Sequence, residues 1–204
     1  MVAAGMRDAR GCIAIPLLCA LAVAGCGGER QDAGAPSGQF DLDVTAASFP
    51  AEQRIAEAST LKLEVENTGD RAVPDLAVTV ETEPGEDGQA PVAFAQSTDD
   101  PTLAASARPV WVVDEGPPGG DSAYANTWTV GPLGEGQSRT VEWKLTAAKA
   151  GRYTVNWRLS PALEGDVSLG EGRTDGTFDV TISDEPVPAR VGADGEVVRE
   201  EAGR

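Results

Sequence analysis

Few kinds of side chain in this sequence are able to do chemistry. There is no histidine, which removes Ser-His-Asp triads, Cys-His dyads and imidazole metal ligands together. The lysines are Lys62, Lys144 and Lys149. Lys62 and Lys144 alternate with apolar neighbours, so a solvated strand face is expected for both and a Ser–Lys dyad is not. Carboxylates are abundant, 33 against 16 basic groups for a formal charge of −17. That abundance makes any single acid pair uninformative as a glycosidase pair. Asp99-Asp100 and the stretch Glu83–Asp87 offer oxygen ligands for Ca²⁺. Neither has the Asp-x-Asp-x-Asp-Gly spacing of a dedicated loop, so a solvated acidic loop is the expectation. The inventory points to no enzyme activity, no cofactor and no resident metal. It also excludes nucleic acid as a partner, because that binding comes from Lys and Arg displacing counterions.

Two sets of residues remain. Trp111, Trp128, Trp143 and Trp157 are candidates for a carbohydrate-stacking platform. Trp143, Trp157 and Trp128 share parity with the aliphatic residues of their runs and are expected in the core. Trp111 lies among valines beside the Gly/Pro-rich stretch 116–120 and is the one candidate for partial exposure. The second set is the thiols Cys12, Cys19 and Cys26. The last follows a segment with Arg7 and Arg10 at its start and an apolar run from Ile13 to Ala24. As a helix that run spans ~18 Å, short of a ~30 Å hydrocarbon core. A charged start, a short apolar centre and small residues at the end describe an export signal.

Val23-Ala24-Gly25-Cys26 resembles the lipobox of bacterial lipoproteins: aliphatic, small, small, cysteine. The resemblance implies cleavage between Gly25 and Cys26, a diacylglyceryl group on the Cys26 thiol and acylation of the new amine. An ordinary secretory signal cut nearby and an uncleaved apolar anchor are the alternatives. Cysteine usage favours the lipobox. Cys12 and Cys19 would leave with the signal, and an unmodified Cys26 would be an odd thiol in an oxidising compartment. Two or three acyl chains at ~0.8 kcal/mol per buried CH₂ exceed the threshold for stable anchoring. The acidic remainder would be repelled by anionic lipid, so the acyl chains must do the holding.

The expected organisation is a signal peptide over 1–25, a lipidated Cys26 with a flexible linker to residue 39, a folded domain over 40–184 and an acidic tail over 185–204. Residues 27–39 are small and polar, a coil with an end-to-end distance of ~20 Å. The domain shows period-two alternation, the mark of half-buried strands. Phe40, Leu42 and Val44 begin it. Leu61, Leu63 and Val65 follow, then Leu76, Val78 and Val80. Val141, Trp143 and Leu145 form another set, as do Tyr153, Val155, Trp157 and Leu159, and finally Phe178, Val180 and Ile182. Two less regular runs, 109–114 and 124–130, bring the number to seven or eight. One apolar face in strand after strand predicts an all-β fold, antiparallel sheets stacked face to face. Residues 50–58 (PAEQRIAEA) are the one helix-like stretch.

LKLEVENTGD at 61–70 resembles the strand-and-turn signature of bacterial Ig-like domains of the cell-adhesion-related (CARDB) kind. Locally, Asn67 is able to close an Asx-turn and Gly69 to take positive φ. AKAGRYTVNW at 148–157 is similar to the penultimate strand of Ig-like sandwiches, where Gly151 and Tyr153 would form the tyrosine corner. The resemblance implies a single Ig-like β-sandwich in which Val155 stands where antibody domains carry a cysteine, with Leu63 or Val65 facing it.

The connections 82–108 and 160–175 are long for a compact domain. In an Ig-like order they lie at opposite ends, the second beside the Asn67 turn and the N-terminal strand. The end carrying Asn67 would face the membrane, and 82–108 would point away as a contact surface, with Val92 and Phe94 beside acidic residues. The function expected is a lipid-anchored, extracytoplasmic binding or interaction module of the bacterial envelope, with a protein partner. An accessory subunit of an exported complex is the first alternative, and a carbohydrate- or Ca²⁺-binding domain the second. Arg over Lys and the Ala/Gly bias suggest a GC-rich, actinobacterium-like host, with the anchor in the outer face of the cytoplasmic membrane.

Overall fold

Strands alternating apolar and polar residues must bury one face, and here they bury it against each other. A computed structural model describes residues 35–83, 90–96, 109–124, 126–191, 193 and 197–199. In chain order the strands are β1 (Ser37–Phe40), β2 (Leu42–Ser48), β3 (Glu52–Arg54), β4 (Ala58–Asn67), β5 (Ala77–Thr82), β6 (Phe94–Gln96), β7 (Trp111–Glu115) and β8 (Asp121–Tyr124). They continue with β9 (Thr127–Thr129), β10 (Ser138–Ala147), β11 (Gly151–Ser160), β12 (Asp166–Leu169), β13 (Asp175–Ser183), β14 (Ala189–Val191) and β15 (Val197–Arg199). The described residues contain no helix.

One sheet has the order β2-β4-β10-β7-β6 and the other β3-β13-β11-β5-β9-β8; β1-β12 and β14-β15 are two-stranded ribbons. This is a β-sandwich with the strand order of an Ig-like fold. The first strand is divided between the two sheets as β2 and β3. The long pairings are antiparallel, with Val141 opposite Leu63 on β10/β4 and Val155 opposite Phe178 on β11/β13. Three short pairs run parallel: β1/β12, β3/β13 and β6/β7.

The inward residues of both sheets form one core: Leu61, Leu63 and Val65 from β4, Val78 and Val80 from β5, Val141, Trp143 and Leu145 from β10, and Val155, Trp157 and Leu159 from β11. Burying each large apolar side chain stabilises by ~1.5–3 kcal/mol relative to leaving it exposed. Seven aromatic rings, from Phe49, Phe94, Trp111, Trp128, Trp143, Tyr153 and Phe178, are linked by tilted and edge-to-face contacts at 5.3–6.4 Å between centroids.

The stretch 50–58 is not a helix. It forms β3, which runs alongside β13 from Thr181 opposite Glu52 to Ser183 opposite Arg54, and then a turn in which Ala56 has φ 64°. The sequence has only Ile55 as a large apolar residue there, too little to bury a helix face, while the open edge of β13 offers backbone partners. Edge pairing outweighs a helical propensity of a few tenths of a kcal/mol per residue. Gln53 ties this strand inward: its Nε2 donates to the Pro50 carbonyl (2.9 Å), and its Oε1 accepts from Trp111 Nε1 (2.8 Å).

Candidate functional site

The Asn67 turn is built from the inside of the sandwich. Asn67 continues the inward parity of Leu61, Leu63 and Val65 and is fully buried. Its Oδ1 accepts from the Gly69 N–H (3.1 Å), closing an Asx-turn. Its Nδ2 lies 2.8–3.1 Å from the carbonyls of Arg71, Leu133 and Gly134, sharing two protons among three acceptors. Sequence reasoning missed this second role, although the parity pointed to burial and hence to a need for partners. Gly69 is not among the positive-φ glycines. It is required for space instead, since a Cβ there would sit 3.3 Å from the Asp41 nitrogen.

Tyr153 leans back over Gly151. Its hydroxyl donates to the Ala150 carbonyl (2.9 Å), and a Cβ at 151 would lie 2.8 Å from the phenolic oxygen. Burial pushes the Tyr153 phenol above the usual tyrosine range. Both this corner and the Asn67 turn are structural: neither presents a group to solvent that does chemistry.

All four tryptophans are buried, Trp111 completely. Trp111, the one whose placement the sequence left open, is held inside because three distant segments converge on it: Phe49 at 5.3 Å with Gln53 on its indole N–H, Phe94 at 6.0 Å, and Tyr153 at 5.7 Å. Among the described residues no tryptophan is left for a stacking platform. Phe94, expected on a contact surface, is also core. It lies 5.6 Å from Trp128 and 6.4 Å from Trp143, because β6 pairs with β7 and carries it inward.

The outward faces are polar and partly self-paired. Lys62 Nζ lies 2.8 Å from Glu64, and Lys144 Nζ 2.5 Å from Glu115. Hydrogen bonds that the ammonium groups donate to these carboxylates raise both lysines above the ordinary value. On the opposite sheet Arg158 pairs with Glu81 at 3.1 Å. Two shallow, open depressions lie on these faces. One of about 280 Å³ is lined by Glu115, Gly116, Pro118, Thr140, Glu142 and Lys144. The other, of about 310 Å³, has Glu81, Asn156, Arg158 and Asp175 among its walls. Among the described residues no three acidic or thiol side chains are grouped to hold a metal ion.

The ends of the sandwich are distinct. Thr68 N–H donates to the Asp41 carbonyl (3.1 Å) and Gly170 N–H to the Phe40 carbonyl (2.8 Å), so the start of the first strand, the Asn67 turn and the 160–175 connection meet at one end. β5 runs from Ala77, opposite Ser160, to Thr82, opposite Val155, so the 82–108 connection leaves from the other end. Residues 84–89 and 97–108, with Asp99 and Asp100, lie outside the described residues, as do Gly25 and Cys26.

No family model matches this chain, and no curated protein matches it. Solved structures similar to it include the CARDB domain of a Pyrococcus furiosus protein in complex with di-metal ions. That match has 20% identity over 72% of this chain and 96% of that one, with a TM-score of 0.44. The solution structure of the same domain matches at 19% identity over 72% and 97%, TM-score 0.44. A Listeria innocua β-glucosidase in complex with glucose matches at 16% identity over 72% of this chain and 17% of its own length, TM-score 0.40. The sandwich described above rests on its own strand pairing.

Proposed function

We propose that this protein is a lipid-anchored, extracytoplasmic Ig-like interaction module of the envelope of an actinobacterium-like organism, acting by contact and spacing rather than by catalysis. The observation that carries the reading is Val23-Ala24-Gly25-Cys26 placed directly after a short apolar run behind two arginines. Dual acylation at Cys26 holds the chain to the outer face of the cytoplasmic membrane. A short polar linker then leads to β1, which starts at Ser37.

The membrane lies toward the end where the first strand, the Asn67 turn and the 160–175 connection meet. The chain leaves β5 at the other end, and the residues of the 82–108 connection outside β6 are the ones we assign to contact with a protein partner. The charge of −17 favours a basic partner surface, which also suits the alternative of an accessory subunit in an exported complex.

Fractionation of cells producing the native chain and Cys26→Ser, followed by crosslinking in intact cells, tests this. The native protein is expected in membranes and the variant in soluble material, with one dominant crosslinked protein lost when residues 97–107 are replaced by a Gly/Ser stretch of equal length, which keeps β6 and Phe94 in place. Equal membrane retention of the variant would remove the anchor from the account. An unchanged crosslink after that replacement would remove the contact surface.

A further inference from the structure

The N-terminal strand is fastened to the sandwich by more than the packing of Phe40, Val167 and Leu169 at the core. β1 runs parallel to β12, with Ser37 opposite Asp166 and Phe40 opposite Leu169, and both strands are largely at the surface. Beyond this ribbon the fastening continues. Asp41 Oδ1 accepts from the Glu171 N–H (3.0 Å) and Asp43 Oδ1 from the Arg173 N–H (2.8 Å), while the Val44 N–H donates to the Arg173 carbonyl (2.9 Å). Arg71 closes the other side, with Nη2 donating to the Ser37 carbonyl (3.1 Å) and its guanidinium over the Phe40 ring at 4.9 Å.

Two glycines make the approach possible. Gly165 and Gly172 have φ of 108° and 118°. A Cβ at either would overlap backbone, the Pro36 carbonyl oxygen at 165 and the Leu42 carbonyl oxygen at 172. The chain from 36 to 44 and the chain from 165 to 173 are thus zipped along their whole shared length, and side chains are excluded where backbones come closest.

We infer that this clasp bears tension applied through the N-terminal segment. A pull on residue 36 directed away from the body drags β1 backwards along β12. The rungs of the ribbon lie across that direction, so they are loaded together rather than opened one at a time. The two aspartate contacts and the Arg71 contacts share the load. The sandwich therefore feels the pull through several bonds at once, and the strand does not peel. The anchored reading above supplies the source of the pull; the mechanical property belongs to the folded chain alone.

The test is to hold the exported chain by its first and last residues in an optical trap, without lipid, so that the result is independent of acylation. The native chain is expected to give up residues 36–41 and the sandwich in a single event. Because β1 is already extended, its release adds little length and the force is the readout: Gly165→Ala, and separately Arg71→Ala at an exposed contact, should lower the force of that event to half or less. A native chain that already yields at that low force, or variants with unchanged traces, would overturn the inference. Hydrogen exchange gives the second measurement. In either variant the amides of Asp166, Gly170, Glu171 and Arg173 should lose protection together, at least tenfold, while those of Leu63 and Val155 keep theirs. Equal loss across the core would mean that the clasp is no separate unit, and the inference fails.

Discussion

Trp157 stands directly opposite Gly176 across β11 and β13, and its indole fills the space that a side chain at 176 would need. A Cβ there would lie 2.5 Å from Cζ2 and 2.8 Å from Cε2 of the ring. Arg173 covers the same indole with its guanidinium at 5.2 Å. The glycine is used here for volume, since its backbone is not among the positive-φ positions. Gly176→Ala is therefore expected to cost about 1–3 kcal/mol through overpacking. Trp157→Phe in the same chain should recover part of that loss, giving a favourable coupling in a double-mutant cycle read by denaturant unfolding. Strict additivity of the two changes would show that the ring and the glycine do not share the space.

Asn67 carries the turn at the end of β4, from which the chain crosses to β5 in the other sheet. Asn67→Ala removes a buried donor from three carbonyls and an acceptor from Gly69. The expected loss is about 1–3 kcal/mol for the groups left without partners. Asn67→Asp should be worse at neutral pH, because it turns a carboxylate toward those carbonyls in a buried site. Thermal unfolding of the three proteins gives the ranking Asn, Ala, Asp from most to least stable; an aspartate as stable as asparagine contradicts the geometry.

Tyr153 links the corner to pH. Burial raises its pKa above the ordinary value of 10.0, so the neutral phenol is the form the fold favours. The stabilisation is complete below pH 10 and is lost as pH rises through the folded value. Tyr153→Phe should cost about 0.5–1.5 kcal/mol at neutral pH for the lost bond to Ala150. The gap between native and variant stabilities should narrow as pH rises above 10. A constant gap up to pH 12 would mean that the phenol does not titrate with folding.

Much of this architecture is legible in the alternation of residues. Leu61, Leu63 and Val65, or Val141, Trp143 and Leu145, declare their inward face because each strand meets water on one side and a full core on the other. The short strands are a different matter. β3 reads as helix because Glu52–Arg54 has no alternation of its own and is held by the edge of β13. β12 is paired with β1, well over a hundred residues earlier, so nothing local marks it. Trp111 is open in the sequence and Phe94 reads as a contact residue for the same reason: Phe49, Gln53 and Tyr153 reach Trp111, and Trp128 and Trp143 reach Phe94, from distant parts of the chain. The turn at Asn67 is legible in outline, but two of its carbonyl partners, Leu133 and Gly134, belong to a loop that no local pattern places beside it.

The tryptophans supply an optical check of the same point. With all four buried, the folded protein should emit at short wavelength and resist quenching by iodide, and unfolding should shift the emission to the red. Titration with wall polysaccharide or millimolar sugar should leave the spectrum unchanged. Strong iodide quenching of the folded chain, or a sugar-dependent shift, would return a tryptophan to the surface.

The anchor is tested most directly by growing cells with a tagged palmitate analogue and isolating this protein. The account predicts label on the native chain, a new N-terminus at Cys26 by mass spectrometry of the released N-terminal peptide, and neither in Cys26→Ser. A native product without label, or a serine variant that still carries it, would contradict the lipid anchor.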